Sequence, residues 1–398
     1  MFSSRVPAAL GLNRLSAALA AHRAAGRALI DLTATNPTTV GIRYPDDILT
    51  PLADPAGRVY RPEPFGLPAA RQAVTADFAR RGISVAEDRV VLTASTSEAY
   101  SLLFKLLCAP GDDVLVPAPS YPLFDHLTQL DGVRAQPYAL EYHGRWELDA
   151  HSVDTAWTDR TRAVLAVSPN NPTGSVLSAV EFDALATRCA ERDAALIVDE
   201  VFADYSLGLA ARDLPVTPDL PVAPDLKVGP TAALTFRLGG LSKSAGLPQV
   251  KLGWIAVDGP DALVLGALER LELICDTYLS VSTPVQVAAP ALIAGGAAIR
   301  AQLQERVRGN YATLRQAAAA SPAVELLAAD AGWSAVLRVP SKVSEEDLVM
   351  ALLADRGVLV HPGFFFDFPR EAFLVSSLLP EPAVFAEGVT RVMEHVGD

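Results

Sequence analysis

Short apolar runs alternate with stretches of helical spacing through the first two thirds of the chain. The apolar runs predict strands at 89–93, 113–117, 161–167, 194–199, 232–236 and 252–257. Between them, apolar residues recur at helical spacing in 98–107 and 181–192, and prolines and glycines mark the connections. This alternation is typical of a mostly parallel sheet covered by helices, so it predicts an α/β unit.

The remaining third has a different pattern, which indicates a second, α+β unit. Helices are predicted at 263–276, 302–320 and 345–355, and strands at 332–339 and 357–360. A further helix at 15–25 is expected to pack with this second unit.

These patterns together give the expected fold class, α/β with two domains. A chain of 398 residues fits two or three domains of roughly 150 residues each. We expect a large domain at 46–275, built on a mostly parallel seven-stranded sheet flanked by helices. The smaller α+β domain would come from both chain ends, 1–45 and 276–398.

The charge balance narrows the possible partners. The chain has 46 Asp and Glu against 33 Lys and Arg, which gives a formal charge of −13, and it has no basic run. We therefore expect no nucleic-acid partner. The Pro-rich near-repeat within 214–230 is predicted to be a surface excursion.

The cysteines and the N-terminal region bear on location. Cys108, Cys189 and Cys275 have no paired spacing, so reduced thiols of a cytoplasmic protein are expected. The Ala-rich N-terminal stretch is interrupted by Arg14 and Arg23, so it predicts neither a signal peptide nor a membrane span. No metal-binding cluster is predicted among the six His residues.

Three separated fragments carry the candidate chemistry. They are the Asn-Pro-Thr-Gly sequence at Asn171 to Gly174, Asp199 at the end of an apolar run, and Lys243 between Ser242 and Ser244. An amide, a carboxylate and an amine are what pyridoxal phosphate needs: a donor to its phenolic oxygen, a partner for its protonated pyridine nitrogen, and a Schiff base with its aldehyde. Each fragment alone is common, so their order and spacing carry the prediction.

The predicted sheet would bring these fragments together. In open α/β sheets, ligands bind at the carboxyl ends of the strands. That rule places Ser95, Tyr121, Asn171, Asp199 and Lys243 around one crevice.

The motifs resemble the fold-type I pyridoxal phosphate enzymes, specifically the class I and II aminotransferases, over about 36–379. The resemblance implies that the cofactor phosphate lies at Ser95, Thr96 and Ser97, where a strand end turns into a helix and free backbone amides attract an anion. An ordinary hydroxyl cap on that helix is the alternative interpretation.

Further roles follow from the same resemblance. Tyr121 would stack on the pyridine ring, although an amphipathic tyrosine at a helix start also fits. Asp199 would pair with the pyridine nitrogen, with a helix N-cap as the structural alternative. Lys243 would form the Schiff base and then move a proton, Ser242 beside it would contact the cofactor, and Lys251 falls where the family has a phosphate-binding Arg.

Tyr60 resembles the family tyrosine that reaches the phosphate of the partner subunit. Its distance to Gly66 is one residue longer than the family pattern, and a loop tyrosine between Pro-rich turns is the alternative. If the match holds, it implies a homodimer with shared active sites.

Two positions depart from the family pattern. Phe202 stands where related enzymes have a Tyr that donates to the phenolic oxygen, so Asn171 would be the main donor. Val375 stands about where the family has the Arg that grips a substrate carboxylate. This change suggests another cation, such as Arg370 or Arg237, or a substrate without that carboxylate.

The sequence therefore predicts a pyridoxal phosphate-dependent aminotransferase that moves an amino group between an amino acid or amine and a 2-keto acid. A lyase or decarboxylase on the same fold is the first alternative, because the same lysine and aspartate serve both. A non-catalytic ligand-binding relative is the second. The expected partners are a small-molecule donor and acceptor and a second copy of the chain, with no membrane.

Overall fold

The computed structural model describes residues 1–7, 11–208 and 231–397. Within them the strands are β1 (Ile30–Asp31), β2 (Val90–Thr93), β3 (Asp113–Ala118), β4 (Arg134–Tyr142), β5 (Trp146–Leu148), β6 (Thr161–Val167), β7 (Ala195–Asp199), β8 (Thr235–Gly240), β9 (Gly253–Asp258), β10 (Glu325–Leu326), β11 (Ser334–Arg338), β12 (Val358–Leu359), β13 (His361–Pro362) and β14 (Phe373–Ser377). The α-helices are α1 (Arg14–Ala24), α2 (Pro68–Arg80), α3 (Thr96–Leu107), α4 (Phe124–Leu130), α5 (Ala150–Ala156), α6 (Ala179–Glu191), α7 (Leu241–Ser244), α8 (Asp261–Tyr278), α9 (Thr283–Ala319), α10 (Glu345–Ala351) and α11 (Pro382–Gly397).

The large sheet has the strand order β2-β9-β8-β7-β6-β3-β4-β5. Strands β9 and β5 run against the others, so the sheet is mostly parallel, as predicted. It has eight strands rather than the expected seven, because the three-residue β5 pairs with the outer strand β4. Neither strand was placed from the sequence. Polar residues and Pro137 interrupt β4, which is half-exposed at the edge and lacks the apolar run of a central strand.

Helices cover both faces of the sheet, which explains why its central strands are continuously apolar. On one face, α3 and α8 pack on the sheet through Leu103 and Leu271. On the other face, α5 and α6 pack through Val153 and Leu185. All five residues of β7 are buried between these layers. The fold class predicted from the pattern is confirmed.

The chain ends form smaller sheets. The antiparallel sheet has the order β10-β11-β14-β13, and β1 pairs in parallel with β12. Helix α1 lies against α10, where Arg14 forms ion pairs with Glu346 at 2.6 Å and Asp347 at 3.2 Å. The boundaries 46–275 and 276–398 remain a prediction.

Helix α9 is longer than the predicted 302–320 and contains 37 residues. It is long and apolar enough to cross a membrane by length and composition alone. Its residues Leu292, Ile299, Leu303 and Val307 lie in the largest core cluster, so a core helix explains the same composition.

Three further observations concern the sequence predictions. Cys189 and Cys275 are buried and Cys108 is half-buried, all as free thiols. The near-repeat within 214–230 lies outside the described residues. In the described part of the chain, no group of three or more His, Cys, Asp or Glu residues is arranged to hold a metal ion.

Candidate active site

A cavity of about 300 Å³ opens at the carboxyl edge of the large sheet. Every predicted site residue except Tyr60 lines it, namely Ser95, Thr96, Ser97, Tyr121, Asn171, Asp199, Ser242, Lys243 and Lys251. The remaining lining residues are largely apolar or aromatic. Among them are Tyr100, Phe124, Val167, Phe202, Leu252 and Trp333. The fold thus brings together side chains that are far apart in sequence.

One end of the cavity is suited to an anion. Ser95 caps α3 by accepting the amide of Glu98 at 3.1 Å, while the amides of Thr96 and Ser97 have no hydrogen-bond partner among the described residues. Free amides at a helix N-terminus favour a phosphate. Lys251 lines the same cavity and has a φ of 60°, an uncommon backbone conformation for a residue with a side chain.

The Asn-Pro-Thr-Gly turn needs its glycine. Gly174 has a φ of 70°, and a Cβ there would lie 2.5 Å from the carbonyl oxygen of Ala331. This close approach joins the turn to the segment before β11. From the first residue of β11, Ser334 Oγ donates to Asn171 Oδ1 at 3.1 Å. The amide NH2 of Asn171 has no partner in the described part of the chain, so it can donate into the cavity.

Asp199 is a buried carboxylate at the end of β7. Its Oδ1 accepts the amide of Val201 at 3.0 Å, and its Oδ2 accepts the hydroxyl of Tyr100 at 2.6 Å. Burial raises the pKa of Asp199 above its usual range, because a charged carboxylate loses water there. It forms no ion pair with any residue that the structure describes, so a cationic ligand would satisfy it.

Lys243 lies in α7, which follows β8 directly. Its Nζ is 5.1 Å from the ring centroid of Trp333 and 5.7 Å from that of Phe202, and it makes no hydrogen bond within the described residues. Burial lowers the pKa of Lys243, which favours the neutral, nucleophilic amine. Tyr205 donates to the Lys243 carbonyl oxygen and so fixes the backbone beneath this amine.

The loop that carries Tyr121 is held by Asn170, a residue that the sequence did not single out. Asn170 accepts the Ser120 hydroxyl at 2.7 Å and donates to the carbonyl of Pro119 at 3.0 Å. The Tyr121 ring lies edge-on to Phe124, with centroids 6.0 Å apart. Asn170 is adjacent to the predicted Asn171, and only the bonding pattern shows that the two have different partners.

Tyr100, Trp333 and Ser334 are also among the cavity residues that sequence reasoning missed. Tyr100 falls within the predicted helix 98–107, where no motif marks it as a site residue. Trp333 and Ser334 come from the second unit, and nothing local marks them as site residues. A sequence signal for them would have required knowledge of how the two units pack.

The residues proposed to bind a substrate carboxylate do not line the cavity. Val375 is buried in β14 between β11 and β13. Arg237 is buried and bonded to Glu200 at 2.5 Å, while Arg370 is exposed.

Tyr60 lies apart from these residues. It is 72% exposed and lines a separate cavity of about 230 Å³ together with residues 61–64 and 279–283. The structure does not bring Tyr60 to the chain's own cavity, and its predicted role in a partner's site stays a prediction.

Residues 53–377, well over half of the chain, match the family model described as aminotransferase class I and II. The chain belongs to this family. The identification made from the motifs is therefore confirmed, and with it pyridoxal phosphate as the cofactor of the family.

Relatives of this aminotransferase-family chain have related names. It is 28% identical over 273 residues to the glutamate-pyruvate aminotransferase AlaA of Escherichia coli K12, an alignment that spans 68% of this chain and 64% of that protein. It is 27% identical over 387 residues to an alanine aminotransferase of Mycobacterium tuberculosis, covering 93% of this chain and 86% of that one.

Solved structures agree on the fold. An alanine aminotransferase from Pyrococcus furiosus superposes with a TM-score of 0.84 at 21% identity, covering 100% of this chain and 99% of that one. A mutant aspartate aminotransferase from Thermus thermophilus has a TM-score of 0.81 at 22% identity, covering 99% of each chain.

The cavity residues fit pyridoxal phosphate by their own chemistry. As far as the described residues go, Asp199 is a buried carboxylate without an ion pair, Lys243 is a buried amine without a hydrogen bond, and Thr96 and Ser97 offer free amides at a helix start. These are the groups that a pyridinium, an aldehyde and a phosphate require.

Proposed function

We propose that this chain is an active pyridoxal phosphate-dependent aminotransferase, which moves an amino group between an amino acid or amine and a 2-keto acid. The observation that carries the proposal is the single cavity that contains both Lys243 and Asp199, a buried amine and a buried carboxyl group without an ion-pair partner among the described residues. When bound, the cofactor supplies the electron sink for the reaction.

Each side chain is assigned one task. With the cofactor bound, Lys243 would hold its aldehyde, and the freed amine would be placed to move the proton at the substrate carbon. Asp199 would keep the pyridine nitrogen protonated, and Asn171 would donate to the phenolic oxygen. Tyr121 would stack on the ring and fix its plane.

The phosphate is assigned to a second group of residues. These residues are Ser95, Thr96, Ser97, Ser242 and Lys251, all of which line the cavity. Because Lys251 offers a point charge where the family has a fork of donors, phosphate binding should be less geometrically defined.

The working form is proposed to be a cytoplasmic homodimer with shared sites, in which Tyr60 reaches the partner's phosphate. Supporting this, Tyr60 and its neighbour Val59 are exposed, and Leu273 and Tyr278 of α8 also leave large apolar side chains in water. Exposed apolar groups of this size are typical of an interface.

We also propose that the chain divides into a large domain at 46–275 and a small domain that includes 276–398.

The names of the relatives suggest which substrates to test. The names of two similar proteins contain glutamate, pyruvate and alanine, so these compounds come first in a substrate panel. Simple amines belong in the same panel. Val375 stands about where the family has its carboxylate-binding Arg, and none of the described residues that line the cavity is an arginine.

The absorption spectrum of the purified chain tests the proposal. With pyridoxal phosphate bound, a Lys243-dependent band should fall and an amine-form band should rise when a donor is added, and a 2-keto acid should reverse the change. Lys243→Ala should show neither band change. A bound cofactor that releases products without this reversal would indicate the lyase, and a chain with no Lys243-dependent band would contradict the proposal.

A further inference from the structure

The hydroxyl of Tyr100 contacts Asp199, and no sequence motif predicts this contact. Tyr100 is 2% exposed, and its O–H donates to Asp199 Oδ2 at 2.6 Å across 99 residues of sequence. Only the amide of Val201 provides a second hydrogen bond to this carboxylate within the described residues. Besides burial, which raises the pKa of Asp199 most, these two donors and the Lys243 amine lower it, and the neighbouring Glu200 raises it.

The ring of Tyr100 is held firmly in place. It lies edge-on to Phe124 with centroids 5.6 Å apart and nearly parallel to Phe104 at 6.2 Å. Two ring contacts and a position inside α3 leave little freedom for the hydroxyl. The hydrogen bond to Asp199 is therefore preorganised.

Helix α3 carries this tyrosine little more than one turn after its own N-terminus. The free amides of Thr96 and Ser97 lie at one end, and Tyr100 lies on the helix behind them. One rigid element thus fixes the anion end of the cavity relative to the carboxylate of Asp199. A cofactor that spans both positions is placed by a single helix.

We propose that Tyr100 is a positioning residue that keeps Asp199 ionised and oriented for the pyridine nitrogen of the cofactor. The proton stays on Tyr100, because burial and the nearby Asp199 both raise the pKa of the phenol. This inference depends on the proposed role of Asp199, and it goes beyond it by naming the group that makes that role possible.

The expected consequence is a change in the pH dependence of cofactor binding. Free pyridoxal phosphate brings its own pyridinium proton in acid, so it can bind a protonated Asp199 only by expelling a proton. Binding should therefore weaken as the pH falls through the pKa of Asp199 in the cofactor-free protein. Removing the Tyr100 hydroxyl destabilises the carboxylate and should move this acid limb to higher pH.

The test is Tyr100→Phe in the full-length chain, with pyridoxal phosphate binding measured by equilibrium dialysis from pH 5 to 9. Losing a hydrogen bond to a charged group should raise the acid midpoint by about one pH unit, and so weaken binding about tenfold at pH values below that midpoint. In an Asp199→Asn background the same substitution should have no effect, since there is no carboxylate to stabilise.

Tyr138→Phe is the matched control. Tyr138 is also 2% exposed, but its hydroxyl donates to the carbonyl of Leu165 at 2.9 Å, away from the cavity. Tyr138→Phe should lower the free energy of unfolding about as much as Tyr100→Phe does, and it should leave the acid midpoint of cofactor binding unchanged. A Tyr100→Phe protein with wild-type affinity and an unmoved midpoint would overturn the inference.

A second variant covers the case in which Tyr100→Phe fails to fold. Placing 3-fluorotyrosine at position 100 keeps the shape and makes the phenol a stronger donor, so the midpoint should move to lower pH. No movement would overturn the inference equally. If a Lys243-dependent band is present in these proteins but the midpoints coincide, only the role of Tyr100 is wrong. If the band is absent from the wild type, the proposed function fails as well.

Discussion

Two neighbouring carboxylates at the end of β7 have opposite surroundings. Glu200 lies between Arg81 at 3.2 Å and Arg237 at 2.5 Å, and all three side chains are at most 7% exposed. Asp199 is equally buried, yet in the described part of the chain it accepts hydrogen bonds only from a phenol and a backbone amide. Successive residues of a strand point to opposite faces, so one step along the chain separates the two environments.

The comparison teaches how a fold distinguishes structural charges from functional ones. A buried charge with two charged partners is satisfied by the protein itself, and removing a partner leaves an unpaired charge. A buried charge that has only neutral hydrogen-bond donors is incompletely stabilised until a ligand of opposite charge binds. Perturbed, unpaired groups in a cavity are accordingly candidates for chemistry.

The largest effect should come from exchanging these carboxylates for amides. Asp199→Asn should lower kcat/KM for the amino donor by about 100- to 1,000-fold, because it removes one member of a buried charge pair formed with the cofactor. Glu200→Gln, its matched control, should stay within about threefold of the wild type. Single-turnover absorbance measurements check both, and equal losses would mean that the two carboxylates do not differ in function.

Stability should respond in the opposite order. Glu200→Gln should destabilise the cofactor-free protein by about 3 kcal/mol, because Arg81 and Arg237 remain buried without a full counter-charge. Asp199→Asn should change it by less than about 1 kcal/mol, since no cation loses its partner. Equilibrium unfolding in urea provides the comparison. A larger loss in Asp199→Asn would show that Asp199 is the structural residue.

The two arginines can be ranked against each other. Arg237→Met should lower the free energy of unfolding by about 1 kcal/mol more than Arg81→Met. Arg237 makes the shorter hydrogen bond to Glu200, and the buried Nε of Arg81 has no hydrogen-bond partner among the described residues. The same urea experiment measures the difference. The reverse ranking would mean that Arg81, at the end of α2, is the more important partner of Glu200.

The smallest effect is a pH dependence of stability. Burial raises the pKa of Asp199 in the folded, cofactor-free protein, so folding favours its protonated form. The penalty for ionisation is absent below the ordinary Asp pKa of about 4 and complete above the raised value. Asp199→Asn should therefore gain stability relative to the wild type as the pH rises through this window. A difference in melting temperature that is independent of pH would contradict the assignment.

Much of the cavity follows from local patterns that a sequence displays directly. An apolar run that ends in Asp199 indicates a buried strand with a carboxylate at its edge, and Gly174 marks a turn that only glycine adopts. Lys243 follows the next strand in the same manner. Strand β4, which was missed together with β5, has a mixed polar pattern because only the short β5 lies beyond it in the sheet.

What the sequence determined by itself was the α/β class, the family and nine of the residues that line one cavity. Only the tertiary structure decided their partners. It placed Tyr100 on Asp199, Arg237 on Glu200 rather than in the cavity, and Ser334 on Asn171. The reason is that spacing fixes which face of a strand or helix a side chain occupies, whereas its contacts depend on how distant elements rotate and pack against that face.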